Sequence, residues 1–417
     1  MTTDLAHVLA GALGADRLRP AEAPDDLVDG VTPGVVILPQ TAEEMAAALA
    51  WATRERMSVV IRGAGSKDTW GRPASRVHVL VRMDRLHRVI DHAAGDLTVT
   101  VEAGARLADV NARLGAHRQF LPLDPPHAPW ATIGGLLGAN DAGPLRHRFG
   151  TPSDLVLGVT LATADGVVAT SGGRVVKNVA GYDLSRLLAG SHGTLAAVVN
   201  ATFKLVPEPD ATGTAVIEGD VVSLQNVITA IFATQLDPMA VEVTATGGHG
   251  RATLYVLFGS DAATVSRSIA QLSTVATGLG ARASALAVAE EPAFWQRRGP
   301  DLVSFPTVLR LSWLPAALDR ALAAVGAALG TTPWTLHGRA AVGAGHLGID
   351  ADGDVAREAI RALRASPAVG SVVIAAGSRA LREAVDVWPP SANEAVLTRL
   401  KQAWDAAGVL GAGRGPL

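Results

Sequence analysis

The chain has 417 residues, 48% hydrophobic and 18% charged, with a formal net charge of -3 and no cysteine. That length exceeds one ordinary domain and suits two or three. The acidic balance argues against a nucleic-acid partner, and the lack of cysteine excludes disulfides, cysteine nucleophiles and cysteine-ligated iron–sulfur clusters on this chain.

Residues 1–30 read as one short helix and a Pro/Asp-rich lead-in. The opening MTTDLAHVLAGALGADRLRP carries Asp4 early and has no basic stretch ahead of an apolar core, so it does not read as a signal peptide. No uninterrupted apolar run reaches about 18 residues, so no transmembrane helix is expected. A cytoplasmic location follows as the expectation, and cysteine-free composition fits a reducing compartment.

Residues 35–38 form a short apolar strand. Thr41 then starts a helix, and Glu44 three residues later completes a capping box. Met45, Leu49 and Ala52 give that helix an apolar stripe. Residues 58–61 are the next strand, which makes a small βαβ unit. The strand empties into Arg62, Gly63, Ala64, Gly65, Ser66 and Lys67. A glycine-rich loop after a strand exposes successive N–H groups, which suits a pyrophosphate. It is not a Walker A loop, and it lacks the third glycine and the following helix of a Rossmann fingerprint.

Strands are expected at 78–82, 88–92 and 97–101, and a helix near 107–114. Residues 120–126, with Pro122, Pro125 and Pro126, form a stiff extended segment. Ala131, Thr132, Ile133, Gly134 and Gly135 open a helical run to Asn140. A helix start fronted by threonine and glycine favours an anion. Residues 143–151 are basic, and Arg146 reads as part of a solvated loop. Asp154 begins the strand LVLGVTLATADGVVATSG, in which Asp165-Gly166 marks a hairpin turn.

The stretch from Ser171 to Pro207, SGGRVVKNVAGYDLSRLLAGSHGTLAAVVNATFKLVP, carries five glycines around a helix from Asp183 and a strand over 195–205. Glycine permits positive φ and close approach of backbone to a ligand. The alternative is a hairpin with a left-handed turn at each end. Composition changes at Pro207-Glu208-Pro209-Asp210, which marks the main boundary. Beyond it, β-like runs at 214–217, 241–244, 253–258, 307–313 and 371–375 alternate with helical runs at 221–234, 261–278, 315–329 and 355–365. That alternation predicts helices on one face of an antiparallel sheet.

Gly343-Ala344-Gly345-His346-Leu347-Gly348 matches GxGxxG by letter. The acidic turn residues that follow, 350–354, exclude a Rossmann helix start. His337 and His346 fit no helical i, i+4 pair, and no carboxylate nearby in sequence completes a ligand set, so no metal is expected.

The run KNVAGYDLSRLLAGSHGTL resembles the signature of PCMH-type FAD-binding domains in the vanillyl-alcohol oxidase superfamily. Within it, the chain is most similar to the flavin-binding E subunit of bacterial glycolate oxidase. The resemblance covers most of 35–207 and returns in the last twenty or so residues. It implies an α+β fold: a two-lobed PCMH-type FAD-binding domain, an α+β cap domain and a C-terminal segment returning to the FAD domain. The corresponding boundaries are 1–30, 31–209, 210–390 and 391–417. The ending LKQAWDAAGVLGAGR looks like the family's C-terminal helix and turn, with Gly411-Ala412 where Asn-Pro is usual.

The resemblance implies FAD contacts from Arg62, Gly63, Ala64, Gly65, Ser66 and Lys67 in one lobe. The other supplies Ala131, Thr132, Ile133, Gly134 and Gly135, and Pro122 and Asp154 are further implied contacts. Lys177, Gly181, Tyr182, Gly193 and Val198 join them. Asp183 is read as a helix N-cap. Relatives that tether FAD use His, Cys or Tyr. The first loop has none, so the flavin is expected to be non-covalent, with His127 and His147 as outlying candidates.

By resemblance the reaction is oxidation of glycolate or a similar small 2-hydroxy acid. Hydride passes to flavin while a cation holds the carboxylate. Arg310, in VLRLSWLP, sits where the E-subunit pattern also places an arginine; it either faces the flavin or pairs with a surface acid. No histidine base stands in a recognisable motif. The implied partners are a related flavin subunit and an iron–sulfur subunit, with at most peripheral membrane association through them. Two other readings are an electron-relay subunit with little activity alone and a free-standing alcohol or sugar oxidase.

Overall fold

The computed structural model describes residues 14–126, 128–173, 182–247, 251–299, 302 and 304–416. His127, Lys177, Gly181 and the expected first helix lie outside the described residues.

Four strands form the first sheet: β1 (Leu18–Arg19), β2 (Val35–Ile37), β3 (Val59–Arg62) and β4 (Val79–Arg82). Its order is β1-β2-β4-β3, with β4 parallel to both β2 and β3. The βαβ unit read from sequence is therefore split, because β4 inserts between its two strands. The helix Ala42–Arg54 buries Met45, Leu49, Trp51 and Ala52, and Thr41 caps it by accepting from the Glu44 N–H. Only half of the expected capping box exists. The Glu44 carboxylate turns instead to the Gln40 N–H at 2.7 Å and to Arg17 at 3.0 Å.

Next come β5 (Val89–Ala93), β6 (Thr98–Glu102), β7 (Gln119–Phe120), β8 (Val156–Thr163), β9 (Val168–Gly172), β10 (Ala196–Lys204) and β11 (Val206–Pro207). Five of them make an antiparallel sheet in the order β5-β6-β10-β8-β9. Asp165 and Gly166 turn β8 into β9, with Gly166 at φ +89°. The helix Ile133–Ala139 packs its buried leucines, Leu136 and Leu137, into a core shared with Phe203 and Leu161.

The rest of the chain adds β12 (Ala211–Asp220), β13 (Ala240–Thr246), β14 (Arg251–Ser260), β15 (Arg282–Ala285), β16 (Thr307–Ser312), β17 (Trp334–Arg339), β18 (Ala344–Ile349) and β19 (Ser371–Ala376). They form one antiparallel sheet in the order β15-β12-β14-β13-β17-β18-β16-β19. The GxGxxG look-alike is thus not a ligand loop: it runs from a turn at Gly343 (φ +73°) into the central strand β18. The strands β15, β17 and β18 escaped the sequence reading: β15 (RASA) has no β-branched residue, and Gly338, Gly345 and Gly348 dilute the signal of β17 and β18.

Side chains alternate across this sheet. Val241, Val243, Leu309, Leu311, Leu336, Leu347, Val372 and Ile374 share one core with Leu224, Ile228, Val325 and Ile360 of the covering helices. The intervening residues face the other way, towards the first half of the chain, and they include Glu242, His337, Arg339, His346 and Arg310. A sheet face with five ionisable side chains is costly to bury unless partners or a ligand meet it.

The C-terminal segment returns to the first sheet. The helix Glu394–Trp404 is followed by Val409 and Leu410, and Val59 donates to the Val409 carbonyl at 2.8 Å. Lys401 ties this return by donating to the Thr194 and Leu410 carbonyls at 2.7 and 2.9 Å. The Gly411-Ala412 replacement leaves the approach intact.

Candidate cofactor cleft and cap face

Three glycine-bearing segments converge on one cleft. It is lined by residues 62–68, by Thr132, Gly134 and Gly135, and by Gly193 and Val198, with Gly411 and Arg414 of the C-terminal turn closing it. Close approach explains Gly63: a Cβ there would lie 2.1 Å from Thr132 Oγ1. Gly193 holds φ +71° beside open space, so the chain turns there without intruding on the cleft.

The cleft suits a ligand rich in acceptors. Among the described residues, no backbone carbonyl takes up the N–H groups of Ala64, Gly65, Ser66 and Lys67. Lys67 Nζ is buried without a hydrogen bond among the described residues, although it lies 3.3 Å from Asp141 Oδ2 as an unaligned ion pair. Arg62 pairs with Asp68 at 2.7 Å, and burial raises the Asp68 carboxyl against the pull of Arg62 and Arg414. Arg414 donates to the backbone carbonyls of Asp68 and Trp70 and so fixes the first loop from the far end of the chain. Exposed N–H groups and a buried, unbonded ammonium fit a pyrophosphate.

Other expected contacts fall elsewhere. Ala131 and Ile133 are fully buried core residues behind the cleft. Pro122 is buried and is not part of the lining. Asp154 does not begin a strand. It sits in the short helix Pro152–Leu155, where its carboxylate accepts from the Thr151 N–H and hydroxyl, both at 2.8 Å, away from the cleft. Tyr182 is 92% exposed and also outside the lining. Asp183 caps the helix Leu184–Leu188 by accepting from the Arg186 N–H at 3.1 Å. Arg146 is not in a solvated loop. It opens the short helix Arg146–Phe149, and burial, Arg339 and Arg310 lower its pKa.

His192 went unnoticed in the sequence, hidden between glycines that explained the loop without it. It lines the cleft at φ +54°, between the rings of Trp388 (4.9 Å) and Trp70 (6.4 Å). Burial, then Arg310 and Lys67, lowers its pKa to about 4, so it is neutral at pH 7.

Trp70 is the junction between the two halves. It packs with Val308 of β16 and Ala375 of β19. The Arg310 guanidinium lies 5.3 Å from its ring centre and Lys67 Nζ 5.4 Å. Arg310 therefore faces the interior rather than a surface acid. It belongs to a row across four adjacent strands, in which Thr244, His337, His346 and Arg310 stand in register. Period-two placement on separate strands brings together residues that sequence spacing kept apart. Asp141 faces this row; burial favours its neutral form, but Lys67, His346 and Arg310 outweigh that and hold it below the usual carboxylate range. Among the described residues, no group of three histidine or acidic side chains is gathered for a metal.

Beyond Trp70 the space continues past His346, Pro126 and Leu302 into a chamber of about 700 Å³ between the two halves. Its walls include Phe120, Met239 and Trp295, and Glu242, Arg298 and Arg339 are among its polar lining residues. Arg339 also donates to the Ala142 carbonyl at 3.2 Å, so the eight-stranded sheet is tied to the first half of the chain.

Residues 33–172 match the family model of an FAD binding domain. Glycolate oxidase subunit GlcE of Escherichia coli is 36% identical over 191 residues, 46% of this chain and 53% of that protein. Glycolate oxidase subunit GlcD of Bacillus subtilis is 29% identical over 211 residues, 50% of this chain and 45% of that protein. A D-2-hydroxyglutarate dehydrogenase of Xanthomonas citri is 32% identical over 177 residues, 42% and 38% of the two chains. The chain spans about half the length, or less, of these curated relatives. Among solved structures, p-cresol methylhydroxylase superposes with a TM-score of 0.76 at 12% identity, over 99% of this chain and 96% of that one. An alkyldihydroxyacetonephosphate synthase gives 0.73 at 14% identity, over 98% and 85%. The chain has the α+β fold of PCMH-type flavoproteins, and its residues 33–172 are an FAD-binding domain with FAD as cofactor.

Proposed function

We propose that this chain oxidises a 2-hydroxy acid to the 2-oxo acid, with residues 31–209 holding FAD, 210–390 forming the cap and 391–417 returning to the FAD-binding half. The observation that carries this reading is Arg310, a guanidinium held inside the molecule against Trp70 at the mouth of the cofactor cleft. FAD supplies a two-electron acceptor for the hydride that leaves the alcohol carbon.

The chain's own residues do the rest. The loop N–H groups of 64–67 and Lys67 hold the pyrophosphate. The Arg310 fork binds the substrate carboxylate and orients the alcohol carbon towards the cleft. His346 stands opposite Arg310 in the sheet register and borders both the Trp70 space and the chamber. It is the imidazole placed to take the hydroxyl proton as the C–H bond breaks. Trp70, packed on Val308 and Ala375 of the cap sheet, forms the wall between the cleft and that sheet.

The names of the relatives support a subunit role: two are glycolate oxidase subunits. In this reading the chain works in the cytoplasm beside a related flavin chain and an iron–sulfur chain, since it has no cysteine to ligate a cluster itself. No helix among the described residues is long and apolar enough to cross a membrane. Anaerobic mixing of the yellow protein with 2-hydroxy acids tests the reaction, because hydride transfer bleaches the flavin. Bleaching that is lost in Arg310→Met supports the assignment. Undiminished bleaching in that variant contradicts it.

A further inference from the structure

Resting on the hydroxy-acid reading, we infer that the substrate is larger than glycolate: a 2-hydroxy acid whose side chain is an aromatic-sized apolar body ending in a hydrogen-bond donor. The first ground is room. The chamber beyond His346 holds about 700 Å³. Glycolate has five non-hydrogen atoms and needs on the order of 150 Å³ even at the ~30 Å³ that a water takes in the liquid. Chambers of about 300–1,000 Å³ suit ligands that are several times larger.

The second ground is the wall chemistry. Phe120, Met239, Leu257 and Trp295 line the chamber, so the middle of a ligand there meets apolar and aromatic surface. A two-carbon acid leaves that surface untouched.

The third ground is Glu242, in the chamber wall. Its side chain is buried, the residue being 2% exposed, and its Oε1 has no hydrogen-bond partner among the described residues. Its other carboxylate oxygen lies 3.5 Å from Arg298, whose guanidinium also lies near the rings of Tyr255, Phe294 and Trp295. A buried acceptor without a donor is expected to be met by a ligand. Glu242 pairs with Arg339, which pairs with Ala344 two residues from His346, and β13 lies two strands from β18. Ladder spacings put the two backbone positions about 12 Å apart. With both side chains reaching inward, a hydroxyphenyl group on the hydroxyl-bearing chain bridges the gap. Glycolate does not.

The test is equilibrium binding and anaerobic flavin bleaching by the FAD-loaded protein. The probes are glycolate, which is achiral, and both enantiomers of 3-phenyllactate and of 3-(4-hydroxyphenyl)lactate. Apolar contacts of one methylene are worth roughly 10–200-fold. Phenyllactate is therefore expected to bind at least about tenfold more tightly than glycolate, and the hydroxyphenyl acid at least about tenfold more tightly again. Glu242→Leu should erase the second step and leave the first, while Glu242→Gln, which keeps an acceptor, should restore part of it. Glycolate binding as tightly as the larger acids overturns the inference and leaves the hydroxy-acid reaction standing. So does a phenol preference unchanged in Glu242→Leu. Bleaching by none of the acids, in the assembled complex as well as alone, contradicts the reaction itself, and the inference with it. The ladder in the parent protein decides the size question even where the leucine variant fails to fold.

Discussion

Arg310 and Trp70 come from opposite halves of the chain, yet the guanidinium lies 5.3 Å from the indole centre. A cation over a ring face gains from the ring quadrupole, more so when desolvated. The pairing keeps Arg310 extended across the cap boundary with its fork available to an anion. Arg310→Met should leave FAD content unchanged and weaken acid binding by about 2–5 kcal/mol, the cost of truncating one partner of a buried charged contact. Arg310→Lys should recover little, since an ammonium lacks the fork. Spectral titration of the bound flavin measures both.

Gly63 is confined by Thr132. Gly63→Ala should separate the two phosphate-facing segments, because its methyl would meet Thr132 Oγ1 at 2.1 Å. The expected result is purification largely without flavin from a protein that still melts cooperatively. Gly135→Asp should also empty the site, by placing a carboxylate at the helix start that faces the cleft. Either variant purifying as yellow as the parent would place the phosphates elsewhere.

Asp183 acts through a different physics. It caps a surface helix next to the exposed Tyr182 and outside the cleft lining. Asp183→Ala should cost about 0.5–2 kcal/mol of stability and leave the FAD dissociation constant unchanged. Chemical denaturation and flavin titration separate the two effects.

The pH dependence of the flavin-free protein should report His192. Its folded pKa is lowered to about 4 by burial first, then by Arg310 and Lys67, while Asp141 opposes them. The unfolded side chain titrates near 6.5. Between those values the unfolded chain binds a proton that the folded chain does not. Stability contributed by the neutral ring is thus complete above about 6.5 and is lost as pH falls towards about 4. His192→Phe should melt with a flatter profile across that window. Parallel profiles would show that the ring is charged or exposed in the folded state.

The flavin should be held without a covalent bond. Acid precipitation is expected to leave the yellow colour in the supernatant. His192 sharpens this test, since it is an imidazole in the cleft lining that the sequence reading had passed over. A yellow pellet from the parent and a colourless one from His192→Phe would make it the tether.

Much of the architecture was legible because it rests on periodicity. The apolar stripe of the helix Ala42–Arg54, the Asp165-Gly166 turn and the cap helices follow from local pattern alone. The glycine loops announced a backbone-lined cleft. The cap face did not announce itself. Thr244, His337, His346 and Arg310 are far apart in sequence and meet only through strand order and register. Asp154 shows the opposite case: an acid just before a β-branched run reads as a strand start, and it sits instead in the helix Pro152–Leu155 with its carboxylate accepting from Thr151. Glu44 shows the same competition, since Arg17 and Gln40 claim the carboxylate that a capping box would have used.

The central claim is that this cleft and cap together pass a hydride from a 2-hydroxy acid to FAD. Its most direct measurement is anaerobic stopped-flow absorbance of the FAD-loaded chain mixed with 2-hydroxy acids. The mixing is done alone and with the related flavin and iron–sulfur chains proposed as partners. The account predicts saturable bleaching by at least one such acid, slowed at least roughly thirtyfold by Arg310→Met. A flavin that stays oxidised with every 2-hydroxy acid, in the assembled complex as well as alone, would contradict it.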